Sequence, residues 1–276
     1  MPGPLAFIQN LSLDVTAGAV ISSLFVCRYF GVDASFEMML GLAIAIWLIY
    51  TIDHLRDGAR SGVDTANPRH AFHKKYRVAI LVGAVLVFGI GLVNAFQLPL
   101  NTIKSGLVLG ALSGLYFVYL KFSKGHRFKE LMAAVIYTAG IFAGPVSLIT
   151  EWEWSYLVFF FLFFLPVAAN LALFPLYEMD MDTRDKVTSI ALKSGRKRTV
   201  QMIWSLLGLH LALVVISVLS LPQFYGLAYI FIVMNLVLMM LLIWPDKFYK
   251  NQLYRWMGDG IFVVPLVYLL LNLERL

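Results

Sequence analysis

The stretch Trp154–Asp185 reads WSYLVFFFLFFLPVAANLALFPLYEMDMDTRD and contains both features that decide the fold. Its first part, 154–177, is almost wholly apolar, and at about 1.5 Å per residue such a helix crosses the roughly 30 Å of a bilayer core. Its last eight residues carry four acids, with Glu178 and Asp182 four positions apart. On a helix this spacing places both carboxylates on one face. The stretch therefore predicts a membrane-spanning helix that ends in an acidic site.

The composition of the whole chain agrees with a membrane protein. Of its 276 residues, 60% are hydrophobic and 14% are charged, against roughly 45–50% and about 25% in soluble domains. A soluble chain of this length cannot bury so much apolar surface, so the excess is expected to face lipid. The single cysteine, Cys27, excludes a disulfide framework and any cysteine-ligated zinc or iron–sulfur site.

Apolar runs recur along the chain at lengths that suit membrane helices, and none alternates with the two-residue period of a barrel strand. They predict an all-α integral membrane protein, a bundle of nine transmembrane helices that forms a single domain over 1–276. The nine runs are 11–30, 36–52, 78–96, 99–120, 129–149, 154–177, 200–220, 223–244 and 256–273.

The basic residues indicate how the bundle is oriented. Of the 22 Lys and Arg, all except Arg28, Lys104 and Arg275 lie in the loops after the second, fourth, sixth and eighth runs. Positive loops stay on the cytoplasmic side, which predicts a cytoplasmic N-terminus and an external C-terminus. The net charge of +6 therefore reports topology, and no nucleic-acid partner is expected. Short loops and the lack of a targeting sequence favour a multi-pass protein of a bacterial inner membrane.

Two acidic groups lie at the ends of the second and sixth predicted helices, which face the same compartment. One such pair alone also suits a solvated helix end, whereas two at matching ends favour a functional cleft. Adjacent carboxylates near hydrocarbon repel unless a cation lies between them, and oxygen ligands without nearby cysteine suit Mg²⁺, or alternatively Mn²⁺. The candidate metal ligands are Asp53, Asp57, Glu178, Asp182, Asp185 and Asp180.

With these motifs the chain resembles the UbiA superfamily of intramembrane prenyltransferases, which are nine-helix bundles with aspartate-rich motifs ending helices 2 and 6. Asp53 and Asp57 match the acids of the first family motif. Two positions depart from the pattern: Ile49 stands where the family usually has asparagine, and Glu178 replaces an aspartate. The segment 116–121, YFVYLK, resembles the tyrosine-rich end of family helix 4, whose lysine contacts diphosphate.

The resemblance implies a Mg²⁺-dependent enzyme with a central cavity open to the cytoplasmic side. It would ionise an isoprenoid diphosphate and transfer the prenyl group to an acceptor that the sequence does not identify. Asp53, Asp57, Glu178 and Asp182 would be the catalytic metal ligands. The expected diphosphate contacts are Arg60, Lys121, Arg56 and Lys124, and the residues expected to face the prenyl cation are Tyr50, Tyr116, Tyr119 and Tyr137.

Two other functions fit parts of the same pattern. A membrane terpene cyclase would keep the ionisation but let the prenyl cation close on itself, and the altered motif at Ile49 favours such altered chemistry. An ion-coupled transporter would use intramembrane acids to bind protons or Na⁺. Transport sites usually lie near the midplane of the membrane, whereas these acids lie at the predicted helix ends.

Overall fold

A computed structural model describes residues 4–60, 65, 67–122, 129–185 and 187–271, and within these ranges all regular secondary structure is helical. The helices are α1 (Pro4–Asn10), α2 (Leu13–Phe30), α3 (Phe36–Arg60), α4 (Pro68–Lys75), α5 (Arg77–Ala95), α6 (Leu100–Phe122), α7 (Lys129–Leu148), α8 (Trp154–Asp185), α9 (Ile190–Ser194), α10 (Arg196–Ser220), α11 (Ala228–Ile243), α12 (Pro245–Tyr249), α13 (Leu253–Gly260) and α14 (Pro265–Leu271). Short 3₁₀ turns cover Pro222–Phe224, Lys250–Gln252 and Ile261–Val263.

Eight helical segments of the described chain are long and apolar enough to cross a membrane. They are α2, α3, α5, α6, α7, α8, α10 and the composite segment Pro245–Leu271. The predicted run 223–244 corresponds to α11, which has 16 residues and is shorter than the others. The protein is therefore a multi-pass helical membrane bundle, and the predicted count of nine spans stays a prediction.

The last predicted run, 256–273, is not one continuous helix. Asn251 and Gln252 adopt positive φ angles of 57° and 55°, so the chain kinks before α13. Residues Ile261–Val263 then form a 3₁₀ turn, and Pro265 begins α14 because proline suits the first turn of a helix. The kink allows α13 to pack against α8, and the predicted run, as far as Leu271, lies within the composite segment Pro245–Leu271.

Helix α8 lies at the centre of the bundle. In its most apolar stretch 67% of the residues are buried inside the protein, against 11% for α5. The N-terminal half of α8 contributes to a fully buried aromatic cluster in which the Phe159 ring lies 5.5 Å from Phe25 and 5.6 Å from both Phe163 and Phe231. This cluster lies about 28 Å along α8 from Glu178, at about 1.5 Å per residue.

The outer helices expose their apolar side chains. On α5, α6 and α10, the side chains of Val85, Leu107 and Leu219 are 70%, 69% and 81% exposed. Soluble monomers rarely show apolar surface on this scale. The exposed faces therefore fit the hydrocarbon of a bilayer.

Both acidic groups lie on helices that continue past their predicted ends. α3 continues to Arg60 and α8 continues to Asp185, so the acids remain on helical faces. The short helices α4 and α9 lie at this same end of the bundle, where α4 packs on α3 and α9 packs on α8. These contacts give the ends of α3 and α8 a shared, partly enclosed polar region.

Candidate active site

One cavity of about 690 Å³ lies between α3, α4, α6, α7, α8 and α13. Side chains from both acidic groups line it: Asp53, Asp57, Glu178, Asp182 and Asp185. The two groups come from segments more than 100 residues apart in sequence. The fold therefore brings five of the six candidate metal ligands to one cavity.

Along α3, the lining of the cavity changes from charged to apolar residues. On α3 its lining runs from Asp57 to Ile46, a distance of about 16 Å at 1.5 Å per residue. The intervening position Ile49 also lines the cavity and presents no ligand atom. An amphiphilic molecule with a charged head and an apolar tail matches this gradient.

The acids of α3 are the more accessible group. Arg56 is three residues from Asp53, and its Nη1 lies 3.4 Å from Asp53 Oδ1. The side chains of Arg56 and Asp53 are 21% and 30% exposed, so water screens this ion pair and reduces its contribution to stability. Arg56 lines the cavity, as expected for a candidate diphosphate contact.

The acids of α8 are more deeply buried. Glu178 and Asp182 are each 7% exposed. Glu178 Oε1 forms an ion pair with Arg255 Nη2 and accepts a hydrogen bond of 2.8 Å from the Tyr254 hydroxyl. Arg255 lines the cavity and was not among the sequence-predicted site residues. In the sequence, Arg255 lies in a basic loop and indicated only the orientation of the bundle. The kink before α13, which buries Arg255, has no clear sequence pattern.

The Asp185 carboxylate connects the end of α8 to the start of α4. Its Oδ2 accepts hydrogen bonds from Thr65 Oγ1 at 2.5 Å and from the Asn67 backbone N–H at 3.4 Å. His70 Nδ1 lies 3.5 Å from the same oxygen. The Asn67 side chain caps α4 by accepting from the Arg69 N–H, and Pro68 occupies the first helical position. These bonds hold α4 across the polar end of the cavity.

The side chain of Arg69 on α4 is 92% buried and lines the cavity. Its Nη1 lies 3.0 Å from His54 Nε2, and because a guanidinium only donates, that nitrogen of His54 accepts and carries no proton. Its Nη2 is buried without a hydrogen-bond partner. Burial, with the nearby charge of Arg255, lowers the pKa of Arg69 to about 10, so it stays positive at neutral pH. Arg69 thus offers an anion an unused donor.

Two histidines of α4 are held neutral around this arginine. Burial lowers the pKa of His70, although the nearby carboxylates of Asp57 and Asp185 act in the opposite direction. Burial also lowers the pKa of His73, whose Nδ1 donates to the Arg69 carbonyl at 3.0 Å. Both histidines are therefore mainly neutral at pH 7, and the positive charge that α4 presents to the cavity is that of Arg69.

Three of the four candidate tyrosines line the cavity: Tyr50, Tyr116 and Tyr137. The Tyr50 and Tyr137 rings lie edge to face with centroids 6.4 Å apart, and the Tyr137 hydroxyl donates to the Val15 carbonyl at 3.3 Å. Tyr119 is half-buried and is not part of the cavity lining.

The remaining sequence-predicted residues do not line this cavity or lie outside the described parts. Asp180 is exposed and lines a separate cavity with Arg196 and Asp246, because it faces away from Glu178 and Asp182 on α8. Lys121 is exposed, with its Nζ 5.4 Å from the Phe122 ring centroid. The Arg60 side chain and the whole of Lys124 lie outside the described residues.

Asp259, on α13, is a further cavity residue that the sequence analysis did not identify. It is 6% exposed and accepts a hydrogen bond from Asn170 Nδ2 at 3.3 Å. A Cβ on the neighbouring Gly258 would lie 2.4 Å from Asn170 Oδ1, so glycine permits this close approach of α13 to α8. An acid within an apolar run is itself a signal of function, and by that signal Asp259 could have been found.

Glu130, at the start of α7, is another cavity acid outside the two motifs. It is 7% exposed, and its Oε1 accepts a hydrogen bond of 3.0 Å from the Ile190 backbone N–H. The bond ties α7 to the first residue of α9 and so fixes the segment that follows the second acidic group.

Within the described ranges, no cluster of three or more His, Cys, Asp or Glu side chains is arranged to hold a metal ion by itself.

Comparisons with known proteins give the fold. No family model and no curated protein sequence matches the chain. Among solved structures, the apo structure of a UbiA homolog from Aeropyrum pernix K1 matches with a TM-score of 0.70 and 12% identity, over 95% of this chain and 98% of that one. A structure of digeranylgeranylglyceryl phosphate synthase in membranes matches with a TM-score of 0.55 and 14% identity, over 92% of each chain. The chain therefore has the fold of the UbiA superfamily, as the sequence resemblance predicted.

Proposed function

We propose that this protein is an intramembrane prenyltransferase that ionises an isoprenoid diphosphate and transfers the prenyl group to an acceptor. The observation that carries the proposal is that carboxylates of α3 and α8 line one cavity together with the buried guanidiniums of Arg69 and Arg255. Two guanidiniums, together with carboxylates that can bind divalent ions, suit a polyanionic head group. The UbiA fold supports the same assignment.

The acids that face the cavity fit Mg²⁺ as the metal. Asp53, Asp57 and Asp182 offer hard oxygen atoms, and Mg²⁺ commonly takes one or two carboxylates with phosphate oxygens and water in its other positions. A preformed cluster of three protein ligands is therefore not required. When bound, Mg²⁺ would neutralise the charge that develops on the leaving diphosphate, and Mn²⁺ could replace it.

The protein would promote ionisation by binding the diphosphate at the polar end of the cavity. The bond between the allylic carbon and the diphosphate oxygen breaks, and its electron pair goes to the diphosphate. Arg69 and Arg255 are placed to stabilise that departing charge in a site with little water. Their fixed positions matter because preformed charges need no reorganisation when the bond breaks.

The remaining allylic cation would lie among the tyrosines. Tyr50, Tyr116 and Tyr137 present aromatic rings to the cavity, and a desolvated cation–π contact stabilises a cation by about 2 kcal/mol. Acceptor attack then forms the new bond to the allylic carbon, and the acceptor loses a proton. The apolar prenyl chain would reach the cavity from the bilayer, which fits a site within a membrane bundle.

A terpene cyclase remains the second candidate, because Ile49 gives the cavity an apolar side chain where the family usually has an amide. An assay distinguishes the transferase from the cyclase. Purified protein in lipid nanodiscs is supplied with Mg²⁺ and geranyl, farnesyl or geranylgeranyl diphosphate. We expect diphosphate release that increases when a membrane lipid extract supplies an acceptor, with a prenylated product found by mass spectrometry. Cyclic hydrocarbon or alcohol from the diphosphate alone would favour the cyclase. Ion flux in sealed vesicles without diphosphate release would contradict both.

A further inference from the structure

The charge of Glu178 is already matched by the protein itself. Its buried carboxylate binds Arg255 and Tyr254 through one and the same oxygen, Oε1. A metal ion at Oε1 would therefore have to compete with a guanidinium for that atom. By the family resemblance this position is the first acid of the second motif, so the ion pair lies where a metal ligand is expected.

Arg255 is held in place by packing as well as by charge. Its guanidinium carbon lies 5.2 Å from the Phe174 ring centroid and 5.9 Å from that of Tyr254. The Tyr254 ring stacks on Tyr177, with centroids 4.2 Å apart and planes 7° from parallel. The Tyr177 hydroxyl donates to the Leu241 carbonyl at 2.7 Å, which anchors this layer to α11. Moving Arg255 away would disturb the packing of three helices.

Separating Glu178 from Arg255 would also leave two opposite charges without partners in a buried place. Breaking a buried ion pair is strongly unfavourable because each charge loses its compensation without regaining water. The acids of α3 differ, since the ion pair between Asp53 and Arg56 is longer and partly exposed to solvent. A divalent ion can therefore reach Asp53 more readily than it can reach Glu178.

We propose that Arg255 takes the place of a metal ion at Glu178, the first acid of the α8 group, and this inference rests on the prenyl diphosphate activity proposed above. In this arrangement Glu178 is a positioning residue that orients Arg255, and it is not a metal ligand. Arg255 binds the diphosphate directly, since the planar guanidinium has several donors and matches phosphate oxygens in pairs. Arg69, with its unpaired Nη2, is the second such donor. Divalent ions then bind through Asp53, Asp57 and Asp182.

Metal binding can be measured separately from catalysis. We would titrate the full-length protein in nanodiscs with Mn²⁺ and follow free Mn²⁺ by electron paramagnetic resonance. Glu178→Gln keeps an oxygen that accepts from Arg255 and Tyr254, so we expect its Mn²⁺ affinity and stoichiometry to equal those of the wild type. Asp53→Asn is the matched comparison, for which we expect affinity to fall by at least about tenfold.

The role of Arg255 needs a variant without a stranded charge. We would combine Arg255→Gln with Glu178→Gln and measure binding of farnesyl thiolodiphosphate, whose C–S bond resists ionisation, at saturating Mn²⁺. Because hydrogen bonds to charged groups are strong, we expect affinity for this probe to fall at least about tenfold while Mn²⁺ affinity without the probe stays unchanged. Arg196→Gln, in the separate cavity beside Asp180, should bind the probe like the wild type.

The results separate this inference from the proposed function. A loss of Mn²⁺ affinity in Glu178→Gln as large as that in Asp53→Asn would overturn the assignment of Glu178. Unchanged Mn²⁺ affinity in both variants would remove the proposed metal site, and this inference with it. The expected Mn²⁺ pattern without diphosphate release from farnesyl or geranylgeranyl diphosphate would support the assignment of the ligands and contradict the proposed reaction.

Discussion

At the scale of single residues, the acidic group of α8 includes two aspartates, Asp182 and Asp180, whose variants can be compared directly. Asp182 lines the central cavity and is buried, whereas Asp180 is exposed on another face of the same helix. Replacing Asp182 by Asn should lower the rate of diphosphate release by on the order of 100-fold, because the divalent ion that would neutralise the departing diphosphate loses a carboxylate ligand. Asp180→Asn should retain the wild-type rate. Equal losses of rate in both variants would contradict the assignment of Asp182, and not Asp180, to the site.

Gly258 provides a second test at this scale. A Cβ there would lie 2.4 Å from Asn170 Oδ1 and 2.7 Å from Phe174 Cε1, whereas a Cβ on Gly260 meets nothing within 4 Å. Gly258→Ala should destabilise the fold by about 1–3 kcal/mol, because overpacking forces the helices apart. Thermal unfolding in detergent should show a lower Tm for Gly258→Ala than for Gly260→Ala. Identical Tm values would contradict the close approach of α13 and α8.

The sequence revealed some of these residues more readily than others. The four-residue spacing of acids identified Asp53, Asp57 and Asp182 because helical periodicity alone places them on shared faces. Asp180 was grouped with these acids because it lies between Glu178 and Asp182 in sequence. Its position on another face of α8 separates it from them. Arg255 was predicted only as a topological charge, because its burial depends on the kink before α13 and on the packing of α13 against α8.

At the scale of elements, the small helix α4 was missed for a physical reason. Its sequence, PRHAFHKK, has the composition of a charged loop, and its burial arises from tertiary packing, mainly against α3. The long apolar helices were predicted because their length and composition match the bilayer without any tertiary contact. Most of α13 and the whole of α14 fall in one predicted run, 256–273, because its composition is apolar, whereas the 3₁₀ turn between them depends on local backbone conformation.

The packing of α4 predicts a loss of stability in acid. Burial lowers the pKa of His73, so the folded protein binds fewer protons at this site than the unfolded chain does. This contribution to stability is complete above the ordinary histidine pKa of about 6.5 and decreases as the pH falls below it. The Tm should therefore fall between pH 7.5 and 5.5, and His73→Gln should show a smaller fall. Lys75→Gln, exposed on the same helix, should behave like the wild type.

At the scale of the whole molecule, the distribution of basic residues predicts that the acidic ends of α3 and α8 face the cytoplasm. In a Cys27→Ser background, Lys75→Cys marks that side and Gln97→Cys the opposite one, and both residues are exposed. A membrane-impermeant maleimide applied to intact cells should label the protein at position 97 and react at position 75 only after permeabilisation. Labelling in the reverse order would invert the orientation.

The proposed reaction requires the acidic groups of α3 and α8 to act on one diphosphate. The most direct measurement is the rate of diphosphate release in Asp53→Asn, Asp182→Asn and the double variant, all with saturating Mg²⁺. Residues that act as a unit lose activity together, so the double variant should be nearly as slow as either single variant. A double variant slowed by the product of the two single effects, or full activity in either single variant, would contradict a shared site.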